Sequence, residues 1–115
     1  IGIDIERIDR DFNYEKLAKK YYFKSNSSNN TISFNKNSVL KQWCAIEAAI
    51  KWDHGKLAED IKEWQYFEDE KIIFHKKKKL KLKFTQINFY KWTICLAYKE
   101  SCHFIPNIFC SSKTF

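Results

Sequence analysis

Methionine is absent from these 115 residues, proline occurs once and glycine twice. So little glycine and proline is poor provision for an all-β chain built on tight turns, and favours a mixed fold with helices over a sandwich or barrel. No apolar run nears the ~20 residues that a membrane-spanning helix requires, so the chain reads as soluble. The cysteines Cys44, Cys95, Cys102 and Cys110 form no C-x-x-C pair and follow no secretory signal, and reduced thiols in a cytoplasmic protein are expected. The length leaves no room for a second substantial domain. What is plentiful is core material and positive charge. Hydrophobic residues make up 44% and aromatics 17%, which excludes a disordered chain. A net charge of +7 suits a polyanionic ligand, an acidic partner or nucleic acid.

The chain opens Ile1-Gly2-Ile3-Asp4-Ile5-Glu6, a strand already under way, and an upstream segment is expected. Period-two alternation separates Ile1, Ile3 and Ile5, the expected core face, from Gly2, Asp4 and Glu6. Helical spacing of Phe12, Leu17, Ala18 and Tyr21 predicts a helix over 12–23 with Asn13 as N-cap. Residues 25–30 are Ser and Asn only, an exposed loop. A second helix is predicted over Lys36–Trp52, with Gly55 placed to end it. Strands follow at Trp64–Phe67, 71–75, 80–84 and 91–98. The order predicts an α+β fold: strand, helix, helix, then an antiparallel β meander. The domain spans 1–100 and leaves a patternless apolar tail at 101–115.

Asp4 and Glu6 lie two apart on a strand, ~6.5 Å between Cα atoms, and can bracket one hard cation. Glu47 and Lys51 share one face of the second helix with Trp43. Each pair alone is ordinary, a solvated strand or an i,i+4 support. If the helix crosses the strand, three carboxylates and a lysine converge. Magnesium takes oxygen ligands and commonly completes its shell with substrate phosphates, which suits an acidic cluster on a basic protein.

The ordered pair G-I-D-I-E and W-C-A-I-E-A-A-I-K resembles the two signatures of the 4′-phosphopantetheinyl transferase superfamily. The D-x-E form is similar to the C-terminal half of the larger, surfactin-synthetase-activating type. The resemblance implies magnesium-dependent transfer of 4′-phosphopantetheine from coenzyme A to a serine of an acyl or peptidyl carrier protein, as in fatty acid, polyketide or nonribosomal peptide biosynthesis. It further implies that Asp4, Glu6 and Glu47 hold the magnesium. Lys51 would contact a phosphate or take the serine proton, with Glu47 or a water on the metal as the competing base. Trp43 would pack and orient the helix.

Ile46 stands where the family has a basic residue, which removes a potential phosphate contact. Only the second half of the larger type is matched. The chain therefore pairs with another copy, lacks an N-terminal half, or has lost activity. Two other readings remain: a non-catalytic binding or assembly module with the same fold, and a basic nucleic-acid-binding protein, which no recognised motif supports. Lys76, Lys77, Lys78 and Lys79 with Lys81 and Lys83 form a basic hairpin, either a solvated edge or an attractor of coenzyme phosphates and acidic carriers. His54, His75 and His103 share no ligand spacing, nor does Cys102 with Cys110. Cys44 reads as a buried helix residue.

Overall fold

The computed structural model describes residues 1–21, 23 and 34–101. The 25–30 loop, Cys102, His103, Cys110 and the rest of the tail past Ser101 lie outside the described residues. Among these residues, no helix is long and apolar enough to cross a membrane.

The elements run β1 (Gly2–Arg7), α1 (Tyr14–Lys20), α2 (Lys36–Trp52), a short α3 (Leu57–Asp60), a 3-10 turn (Ile61–Glu63), then β2 (Trp64–Phe67), β3 (Ile72–His75), β4 (Leu80–Phe89) and β5 (Trp92–Lys99). The strands form one antiparallel sheet in the order β1-β5-β4-β3-β2. This is the expected α+β class, with β2 to β5 as a meander and β1 added at its far edge. Asn13 caps α1, its side-chain oxygen accepting from the Lys16 N–H at 3.0 Å. Asn35 caps α2 in the same way, accepting from Asn37 at 2.9 Å and Ser38 at 3.3 Å. The apolar stripe of α2, with Val39, Cys44, Ala45, Ala48 and Ala49 fully buried, lies on the sheet against Ile73, Leu82, Phe84, Cys95 and Ala97. Small residues along the helix let its backbone come close to the strands beneath.

Several sequence expectations are corrected. Helix α1 is Tyr14–Lys20 rather than 12–23, because the Asn13 cap starts it after Phe12. Strand β4 continues past Phe84 to Phe89, since Thr85 through Phe89 pair residue by residue with β5. Strand β3 starts at Ile72 because Lys71 takes a left-handed φ of 56° in the turn. Strand β5 spans Trp92–Lys99 because Tyr90, with φ 53°, and Lys91 form the tip of its hairpin. His54, not Gly55, is the left-handed residue that ends α2, with φ 55°. The Gly55 N–H then reaches the Ile50 carbonyl at 2.9 Å, and the His54 N–H the Lys51 carbonyl at 3.3 Å. A Cβ at Gly55 would clash only with the Asp60 carboxyl group, the far end of a side chain that can shift.

The largest correction concerns β1. Ile1, Ile3 and Ile5 do not face the core; they are 71%, 48% and 52% exposed. The helix-covered face carries Gly2, Asp4 and Glu6. The reason is α2, which needs a side chain-free strand position to approach and brings polar partners that compensate a buried carboxylate.

Candidate metal centre

Helix α2 runs opposite to β1, and each residue on the inner face of the strand meets a different level of the helix. Gly2 lies under Ala48 and Trp52. A Cβ at Gly2 would fall well inside contact distance of the Ala48 carbonyl oxygen and 2.7 Å from the Trp52 nitrogen. Glycine is therefore required for this approach. Asp4 lies beneath Cys44 and Lys51, and Glu6 beneath Trp43.

Asp4 is 3% exposed. Its Oδ1 accepts from the Lys51 ammonium at 2.9 Å, whereas its Oδ2 is buried without a hydrogen-bond partner. Glu6 accepts from the Trp43 indole N–H at 3.2 Å and from the Arg10 guanidinium at 3.1 Å. Glu47 completes the group, and one carboxylate oxygen from each of Asp4, Glu6 and Glu47 lies within 4.8 Å of the others. All four residues singled out in the sequence, Asp4, Glu6, Glu47 and Lys51, come together.

Crowding three carboxylates shifts their titration. Burial, then the hydrogen bond with Asp4 and the charges of Asp4 and Glu6, push Glu47 up to about 8 despite Lys51. Burial and the Asp4 charge raise Glu6, with Arg10 and Trp43 working against them. Burial raises Asp4 too, but its hydrogen bonds with Glu47, Lys51 and Cys44 outweigh this and hold it below the usual carboxylate range. The Asp4 bond raises Lys51, which is accordingly presented as an ammonium. Once Glu47 is ionised it cannot donate to Asp4, and a buried carboxylate oxygen left without a donor is unfavourable by about 1–3 kcal/mol or more. A small divalent cation with oxygen ligands meets that need, so the donor set fits magnesium.

Two holders of Glu6 were not assigned that role from sequence: Trp43 and Arg10. The signal for Trp43 was present, since it lies one helical turn before Glu47. Arg10 lies past the strand end, where no periodicity applies. Ile46 points elsewhere; it is 2% exposed and borders a cavity of about 410 Å³ with Phe23, Trp64 and Tyr66, which the carboxylates do not line.

Three of the six lysines of the basic hairpin are engaged in ion pairs. Lys78 pairs with Asp53, Lys77 with Glu63 at 3.7 Å and Lys81 with Glu100 at 3.3 Å. His75 is buried, its ring edge-on to Trp64 at 4.9 Å between centroids, and its Nδ1 accepts from the Lys78 N–H at 3.0 Å. The Cys44 thiol is fully buried and donates to the Asp4 carbonyl at 3.4 Å; burial pushes its pKa far up, so it is no nucleophile.

No family model, curated protein or solved structure matches the chain.

Proposed function

We propose that this chain is a phosphopantetheinyl transferase-like domain that moves 4′-phosphopantetheine from coenzyme A to a carrier-protein serine. One observation carries the reading: the G-I-D-I-E strand and the W-C-A-I-E-A-A-I-K helix place Asp4, Glu6 and Glu47 within one ion's reach, with Lys51 on Asp4. In the reaction the serine Oγ forms a bond to the pantetheine-bearing phosphorus as the pyrophosphate P–O bond breaks. The serine proton passes to a base, and adenosine 3′,5′-bisphosphate leaves with the electron pair.

Asp4, Glu6 and Glu47 would hold the magnesium. When bound, that ion supplies neutralisation of the negative charge that develops on the leaving phosphate. Trp43 and Arg10 fix the Glu6 carboxylate. The bond to Asp4 favours Lys51 as a phosphate-binding ammonium over Lys51 as a base. In this reading Glu47, once ionised, or a water would receive the serine proton.

The test is incubation with coenzyme A, magnesium and apo carrier proteins, read by mass spectrometry. The expected result is a phosphopantetheine adduct that Glu47→Gln abolishes. No adduct on any apo carrier would overturn the catalytic reading, and a cation site without transfer would leave a non-catalytic module of the same fold. Adduct formation that survives Glu47→Gln would remove the metal assignment.

A further inference from the structure

The polar part of the inner sheet face does not end at the carboxylates. One row beyond Asp4, the cross-strand neighbours Glu6, Thr93 and Asn88 bring polar side chains beneath the first two turns of α2. A cavity of about 160 Å³ opens there, lined by Ile8, Asn37, Leu40, Lys41, Asn88 and Thr93. Thr93 is 3% exposed, yet its hydroxyl has no hydrogen-bond partner. Buried hydroxyls are as a rule hydrogen-bonded, and this unpaired one borders a cavity.

We propose that this cavity binds a phosphate-class oxyanion, separately from the carboxylate cluster. Lys41 is its one charged lining residue and makes no ion pair among the described residues. The Lys41 backbone is fixed by Gln86, whose amide donates to its carbonyl at 2.9 Å. Asn37 and Asn88 add side-chain amides and Thr93 a hydroxyl, so every polar lining side chain has a donor to offer an anion. Asn37 also lies in the first turn of a 17-residue helix, the positive end of its dipole. The Asn35 cap already takes the Asn37 and Ser38 N–H groups, so the helix end supplies its field and the side chains supply the bonds. No carboxylate lines the cavity. Glu6, the cross-strand neighbour of Thr93, is held instead by Trp43 and Arg10. Size narrows the ligand further. The volume is well below the ~300 Å³ at which cofactor pockets begin, which suits a single phosphate group rather than a whole coenzyme. That group is either free phosphate or a monoester whose remainder stays in solvent.

The test needs neither coenzyme nor divalent cation, so its failure is distinct from failure of the transferase reading. Calorimetric titration of the full chain with inorganic phosphate, in chloride at constant ionic strength with divalent cations chelated, should show saturable binding of one phosphate per chain. Lys41→Gln should weaken it at least tenfold and Thr93→Val about fivefold, the loss of one charge-assisted and one neutral hydrogen bond. Thr93→Val removes an unpaired buried hydroxyl, so without phosphate its Tm should equal or exceed that of the parent. Asn88→Ala, at an exposed position, should also weaken binding and is the second variant should Thr93→Val alter the fold. Lys76→Gln in the basic hairpin is the control and should leave affinity unchanged. Methyl phosphate in a parallel titration separates the two sources: equal affinity marks a monoester site and rejection a free-phosphate site, and both uphold the oxyanion. Absence of saturable phosphate binding would overturn the proposal. So would affinity that Lys76→Gln reduces while Lys41→Gln and the folded cavity variants do not, since that places the anion on the general basic surface.

Discussion

Replacing Gly2 with alanine tests the feature on which the whole site depends, the contact between α2 and β1. The added Cβ meets backbone rather than flexible side chains: the Ala48 carbonyl oxygen and, at 2.7 Å, the Trp52 nitrogen. Ordinary contact needs about 3.4 Å or more, so α2 must withdraw on the order of 1 Å along a face where Ala45, Ala48 and Ala49 are fully buried. Overpacking of this kind is unfavourable by about 1–3 kcal/mol, and backbone atoms on the receiving side place Gly2→Ala at the upper end. At about 2.1 cal/mol/K per residue, 115 residues give an unfolding entropy near 0.24 kcal/mol/K, so 3 kcal/mol lowers Tm by about 12 °C. Thermal denaturation followed by circular dichroism reads this directly. Ile3→Ala, on the open face of the same strand, is the control and should shift stability by less than about 1 kcal/mol at dilute concentration. A Gly2→Ala melting point within about 2 °C of the parent would refute the close approach and the site geometry built on it.

Two further outcomes follow from the carboxylate cluster. Glu47, raised to about 8, keeps in the native state a proton that the unfolded chain releases near 4.3. Its contribution to stability is therefore fully present below that lower value and is lost as pH rises through the upper one. Without divalent cations, stability should fall between pH 5 and 8 by on the order of 2 kcal/mol, less than full linkage because Glu47 is only half-buried. Glu47→Gln should flatten that slope in melts across the range, and an unchanged slope would assign it to other groups. Trp43→Phe keeps an aromatic ring but removes the N–H that holds Glu6, and should weaken magnesium or manganese binding about tenfold by calorimetry. Unchanged affinity would reduce Trp43 to packing alone.

Local signals were legible wherever they are complete within a few residues. Asn13 announces its helix because a cap needs only its own side chain and the next turn. The end of β4 was not legible, because Thr85 to Phe89 are held as strand by pairing with β5. His54 took the left-handed position expected of a glycine, since the closing hydrogen bonds of α2 place that conformation one residue earlier. At the site, the types and spacing of Asp4, Glu6, Glu47 and Lys51 were readable, while the roles of Trp43 and Arg10 at Glu6 were not.

By itself the sequence determined that β1 has two unlike faces, one of isoleucine and one of glycine and carboxylate, and that α2 carries an acid and a base one turn apart. A period of two separates faces and says nothing about which is covered. Only the tertiary structure decided that, by setting the alanine-rich side of α2 on Gly2 and turning Lys51 onto Asp4. Hydrophobicity would have buried the isoleucines. Close helix approach and compensation of the Asp4 carboxylate prevailed, gathering three carboxylates and leaving an apolar face uncovered by any described helix.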